Sequence, residues 1–186
     1  MRYLLRMRPR SPQAGELLAT ARAVAGSMGV EVRNPKRTST GTLEVDVFAP
    51  GRADLDTLLA ALGPLAVVES ARDLNVAPPH RSRGQLFSEA RGLFNSERYW
   101  ECHEVLEEAW RTSSGEEKSR LQGLILVCAA FVHHQKGEDG VALGVLKRAI
   151  PKLDFPEASY NGLDVASMKR LAVEMASSGE FAPFAV

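Results

Sequence analysis

The hydrophobic period of the chain changes part-way along, from two to about 3.6, so the chain must build two halves on different principles. Near the start, Tyr3, Leu5 and Met7 alternate with Arg2, Arg6 and Arg8, the pattern of a strand with one buried face. Ser11 offers an N-cap with Pro12 at the first helical position, for a helix running through Leu17, Leu18, Ala21 and Val24 to a stop at Gly26 and Gly29. Val30 and Val32 begin a second strand, the NPKRTSTG stretch reads as a hairpin loop, and Leu43, Val45 and Val47 alternate along a third strand. A helix from about Ala53 to Leu62 ends at Gly63 and Pro64, and Leu65 to Val68 form a closing strand. The order over residues 1–76 is βαββαβ, which predicts a ferredoxin-like antiparallel sheet with two helices on one face.

The stretch NVAPPHRSRG breaks both periods, placing a linker at residues 77–84. Residues 85–186 then follow the helical period throughout, so the chain reads as α+β with an all-α bundle as its second domain. Five helices are expected, at about 84–95, 97–112, 115–136, 139–150 and 162–178. Ser82 with Gln85, Ser114 with Glu117, and Asn161 with Asp164 supply their start signals. Gly123 to Val132 is apolar around the whole circumference, marking the third of these helices as the buried centre. Ala90, Cys102, Leu106 and Ala109 recur 40 residues later as Ala130, Ala142, Leu146 and Ala149, a helical-hairpin repeat with too few copies for a solenoid.

Charge narrows the partners. Lys plus Arg and Asp plus Glu both number 23, so no net field draws the molecule to nucleic acid or an anionic membrane. In the first half, Glu44 and Asp46 share the face of Arg2, Arg6 and Arg8, which favours cross-strand ion pairs over RNA binding. The longest apolar run, Leu124 to Val132, is far short of the roughly 20 residues a membrane span needs, and the opening MRYLLRMRPR lacks a secretory h-region. The expectation is a soluble, cytoplasmic protein. Cys102 and Cys128 belong to no metal or redox spacing and read as buried free thiols.

Chemistry concentrates in FNSERYWECHEVLEEAWR, residues 94–111. On a helical wheel Tyr99, Cys102, Val105, Leu106 and Ala109 share one arc, with Glu101 and Glu108 opposite and facing water. Trp110, Leu106, Leu124 and Val127 are assigned to the core. His103, Glu107 and Trp110 stand on the margin of the apolar arc beside Arg111, and Gln122 and His133 lie on one stripe of the next helix. If the two helices pack antiparallel, these stripes converge on a polar pocket.

These residues carry a resemblance. The run from Phe94 to Arg111 together with LQGLILVCAAFVHHQKGEDGVAL resembles the family called domain of unknown function 309, over roughly residues 86–150. The matching positions are Phe94, Asn95, Tyr99, His103, Glu104, Glu107, Trp110, Gln122, Gly123, His133 and Gly137. The resemblance implies a small helical bundle and a candidate site, with no reaction attached, and leaves the N-terminal half uncovered.

The leading functional reading is a ligand- or partner-binding module whose pocket comprises His103, Glu104, Glu107, Trp110, Arg111, Gln122 and His133. An alternative is a metal-dependent, hydrolase-like enzyme in which His103, Glu107 and His133 hold a divalent metal, since imidazole and carboxylate suit zinc, iron or manganese. A general-base histidine with Arg111 anchoring an anion is a third form of the same site. No catalytic motif selects a reaction, and the identity of a small-molecule or protein partner, like self-association into a homo-oligomer, is left open. A nucleic-acid module on the N-terminal sheet is the remaining alternative.

Overall fold

A computed structural model describes residues 1–11 and 14–186. The chain divides into two compact units, Met1–Pro79 and His80–Val186. Among the described residues no helix is long and apolar enough to cross a membrane.

The first unit runs β1 (Arg2–Pro9), α1 (Ala14–Ser27), β2 (Glu31–Arg37), β3 (Leu43–Phe48), α2 (Arg52–Leu62) and β4 (Ala66–Asp73). Pro12, expected to open α1, lies outside the described residues. The four strands form one antiparallel sheet in the order β2-β3-β1-β4. Tyr3, Leu5, Met7, Leu43, Val45 and Val47 join Leu17, Ala21, Leu55, Leu58 and Leu62 in a single apolar core.

Two strands exceed their expected length. β2 runs on through Asn34–Arg37 into the stretch read as loop, because a bulge between Arg33 and Lys36 absorbs Pro35 on an edge strand, where its missing N–H costs no ladder bond. The true turn is Thr38–Thr42, closed by the Thr42 N–H donating to Thr38 Oγ1 at 3.0 Å. β4 extends to Asp73 because its later residues pair with Tyr3–Arg6 of β1.

The other sheet face is also buried, and it is polar. Arg6 lies directly across from Glu44 and donates to it at 3.3 Å, while Lys36 Nζ reaches the second Glu44 oxygen at 2.6 Å. Asp46 accepts from Arg2 at 2.8 Å and from Asn34 at 2.7 Å. The expected cross-strand pairing is therefore present, with Arg6, Lys36, Glu44 and Asp46 covered rather than solvated.

The second unit comprises α3 (Arg83–Asn95), α4 (Tyr99–Arg111), α5 (Gly115–Gln135), α6 (Asp139–Ala149), a 3-10 turn at Ile150–Lys152, β5 (Ser159–Tyr160), β6 (Leu163–Asp164) and α7 (Val165–Ser178). The two-residue strands β5 and β6 correct the all-helical expectation: Asn161 and Gly162 both take left-handed backbone angles, which folds the segment before α7 into a miniature hairpin. Asp164 rather than Asn161 caps α7, accepting from the Ser167 N–H at 2.9 Å. The Ser82–Gln85 capping box forms, whereas Ser114 makes no side-chain cap to α5.

α5 is the centre, with Leu121, Leu124, Val127, Cys128, Ala130 and Phe131 all fully enclosed. The repeated positions Ala90, Cys102, Leu106, Ala109 and their counterparts Ala130, Ala142, Leu146, Ala149 are all buried, and the two hairpin turns carry matching left-handed residues, Glu97 and Gly137. Gly123 lets α5 approach the 3-10 turn. A Cβ there would sit 3.0 Å from the Lys152 carbonyl carbon and 3.1 Å from Leu153 Cδ2. Alanine regains about 1 kcal/mol of helix propensity, offsetting part of an overpacking cost of about 1 to 3 kcal/mol. Valine regains less and adds two methyls. The expected stability order is glycine, then alanine, then valine, with valine lower by about 2 to 3 kcal/mol in chemical unfolding. A valine variant as stable as the parent would show that the 3-10 turn yields freely.

Candidate functional site

α4 presents its apolar arc inward as the wheel requires: Tyr99, Cys102, Val105, Leu106 and Ala109 are buried. Its outer side is less simple. Glu101, expected in water, is 1% exposed and takes two bonds from the Arg98 guanidinium at 2.6 and 2.7 Å. Glu108 is half-buried and accepts from Arg81, which also reaches Glu89 at 2.9 Å. The N-cap arginine one turn away neutralises Glu101, and Arg81 on the α3 approach neutralises Glu108; a wheel that sorts α4 by hydrophobicity alone omits both. Trp110 is half-buried at the edge of the core rather than within it, with Lys118 Nζ 4.1 Å from the ring centroid.

The marginal residues form a ladder along one exposed side of α4. His103 Nε2 lies 3.8 Å from Glu107, and Arg111 donates to the other Glu107 oxygen at 3.3 Å. Glu104 and, on α5, Gln122 are half-buried. Contacts between Trp110 and Lys118, Cys102 and Cys128, and Tyr99 and Phe131 fix the antiparallel register of α4 and α5. That register places His103 near the level of Val127, and at about 1.5 Å per residue His133 lies about 9 Å further along the axis. His133 bonds instead to Glu138 at 2.5 Å, across the α5–α6 turn. This bond is the main reason the Glu138 carboxyl sits below its ordinary range.

The structure therefore sets His103 and Arg111 on either side of Glu107 along α4, while the His133 imidazole is engaged by Glu138 at the α5–α6 turn. Among the described residues no group of three or more His, Cys, Asp or Glu side chains is placed to hold a metal ion. An open cleft of about 670 Å³ lies elsewhere, between the 153–158 segment and α7, with Phe155, Val165, Lys169 and Val173 in its wall. The thiols are buried as expected, with Cys128 Sγ 3.4 Å from Cys102 Sγ.

Two clusters escaped the sequence reading. Arg83 donates to Tyr160 at 2.9 Å and pairs with Glu117, to which the Tyr160 hydroxyl also donates. The tyrosine bond and then Arg83 hold the Glu117 carboxyl below its usual range. Its partners come from three separate segments, so no spacing announces it. The second cluster is aromatic: Phe181 and Phe184, beyond α7, pack on Phe131. The only sequence signal was two phenylalanines three apart in a short stretch without helical caps.

The sequence profile of a Domain of unknown function (DUF309) matches residues 87–145. Residues 87–145 thus resemble the DUF309 family. The match spans most of α3 to the middle of α6 and leaves the N-terminal unit outside it. A conserved hypothetical protein from Thermus thermophilus, known as a crystal structure, is 35% identical, over 49% of this chain and 95% of that chain, with a TM-score of 0.43. No curated protein matches the chain.

Packing accounts for part of the DUF309 resemblance. Phe94 and Tyr99 are core aromatics, Gly123 permits a close helix approach, and Gly137 supplies a left-handed turn residue. His103, Glu107, Trp110 and Gln122 are half-exposed, and burial does not explain them.

Proposed function

We propose that the DUF309 unit is a binding module whose ligand or partner docks along the α4 ladder, on His103, Glu107, Trp110 and Arg111 with Gln122 beside them. One observation carries this reading: His103, Glu107 and Arg111 stand at successive helical turns, accessible, with His103 3.8 Å and Arg111 3.3 Å from the two Glu107 oxygens, on the helix that also carries a half-buried indole. The ladder combines a carboxylate acceptor, a guanidinium, an imidazole and a flat aromatic face, a set that suits a polar small molecule or a peptide segment. Metal-dependent hydrolysis is less well supported, because His133 is engaged with Glu138 and, among the described residues, no third ligand joins His103 and Glu107. For the N-terminal unit we propose the ferredoxin-like class, supported by the strand order β2-β3-β1-β4 with β1 and β3 central. The engagement of Arg2, Arg6 and Lys36 by carboxylates argues against an RNA-binding role for its polar face.

Thermal-shift screening of the purified chain against a panel of metabolites, short peptides and zinc or manganese chloride tests the ladder. A hit is expected to bind at least about tenfold more weakly, about 1.4 kcal/mol, to His103→Ala and to Glu107→Gln, and equally well to Arg170→Ala on α7. Hits indifferent to both ladder changes would place the binding surface elsewhere. A metal hit lost in His133→Ala as well would restore the enzyme alternative.

A further inference from the structure

The last residues of the second unit behave like a bound ligand. After α7 ends at Gly179, residues 180–186 form no helix or strand. Phe181, Phe184 and Val186 are half-buried, while Ala182, Pro183 and Ala185 are exposed. The three apolar side chains fall at i, i+3 and i+5 and face the bundle, so the segment docks by a few anchors separated by exposed residues.

The surface beneath is built by other elements. Phe181 lies edge-on to Phe131 at 5.5 Å and stacks on His134 at 4.8 Å with 13° between the rings. Phe184 meets Phe94 at 5.2 Å and Phe131 at 5.8 Å. The floor also holds together without the segment, since Phe94, Tyr99 and Phe131 pack on one another at 4.6 to 5.9 Å. His134 is fixed from the far side by Asp139, at 2.7 Å.

Backbone recognition comes from a side chain. Asn95 Oδ1 accepts from the Val186 N–H at 2.9 Å, and Asn95 Nδ2 donates to the Val186 carbonyl at 3.4 Å. An amide that reads both backbone groups of one residue is indifferent to that residue's identity, so it would hold any segment of the right shape. In the floor, Tyr99 is 1% exposed and its hydroxyl has no hydrogen-bond partner among the described residues. Folded proteins seldom leave such a group unpaired, and a donor waiting in a floor is one that a peptide carbonyl can satisfy.

We propose that the surface made by Phe94, Asn95, Tyr99, Phe131 and His134 is a peptide-binding site for an extended Phe-x-x-Phe-x-aliphatic segment of a partner protein, and that residues 181–186 occupy it as a built-in competitor. A tethered segment acts at an effective concentration of the order of millimolar. A partner must therefore displace it, and the site is closed until one does. None of these residues belongs to the α4 ladder, so the two readings stand or fall separately.

The test uses the full chain and a fluorescein-labelled peptide of residues 179–186 with an amidated end. In polarisation titrations Phe181→Ser/Phe184→Ser is expected to bind the peptide at least about tenfold more tightly than the parent, and Asn95→Ala added to that variant to lose about tenfold again. Equal affinity of parent and double variant overturns the proposal. Should the double variant fail to fold, hydrogen exchange on the parent decides: excess peptide is expected to speed exchange at 180–186 and leave α5 unchanged, and unchanged exchange at 180–186 overturns the proposal. A mixture of parent and double variant that sediments as a dimer would make a second copy the occupant and overturn the partner reading.

Discussion

Phe131→Ala is expected to destabilise the helical unit by about 3 to 5 kcal/mol. The ring is wholly buried, stacks on Tyr99 with centroids 4.6 Å apart, and receives the edges of Phe94, Phe181 and Phe184. Its removal leaves a cavity that four other aromatic rings border. Rigid rings collapse into such a space poorly, which places the cost toward the upper part of the range. Urea unfolding followed by helical circular dichroism measures it, with Phe131→Leu expected to recover more than half of the loss. A loss below about 1 kcal/mol would mean that the aromatic cluster is not the centre of this core.

Glu44→Gln is the comparable experiment in the sheet unit, and it acts through charge. One carboxylate serves Lys36 on one oxygen and Arg6 on the other, and the three side chains are at most 9% exposed. The amide keeps the shape but removes the negative charge nearest to two covered cations, of which Arg6 keeps only the more distant Glu69 at 3.9 Å. Breaking a buried ion pair from one side costs about 3 to 5 kcal/mol. Replacing the whole set, as Arg6→Met/Lys36→Met/Glu44→Leu, is expected to be far milder, because the buried carboxylate and both of its cations are then removed together, and Glu69 keeps Arg8. Equal melting temperatures for Glu44→Gln and the parent would show that water reaches this cluster.

The elements that sequence patterning located well are those whose cause is local. A period of 3.6 with Gly, Pro or Ser at its ends defines α3 to α7 to within a few residues, and the Ser82–Gln85 box needs only its own turn. The buried arc of α4 followed from the same periodicity. The readings that failed turned on partners outside the pattern being read. Whether Glu101 meets water depends on Arg98, and whether Asn34–Arg37 is loop or strand depends on what Asp46 and Glu44 offer across the ladder. His103 and Glu107 were legible as a pair because i and i+4 are neighbours on any helix. Joining His133 to them required a register between helices, and the register set by Cys102, Cys128, Tyr99 and Phe131 carries it past the ladder. Residues 181–186 carried no period at all, so their partners were invisible.

The strand order has a kinetic consequence. β1 is a central strand, yet both of its sheet neighbours, β3 and β4, come later in the chain. Tyr3 pairs with Asp73, so the sheet cannot close until nearly the whole first unit has left the ribosome. The helical unit is the opposite case, since each of its first four helices packs against its neighbour along the chain. Folding rate falls as contacts become more distant in sequence, and exposed strands awaiting partners are where aggregation starts. The half made first is thus the half with the slower route to its native state, and its unpaired β1 is the segment a nascent-chain chaperone would have most reason to cover.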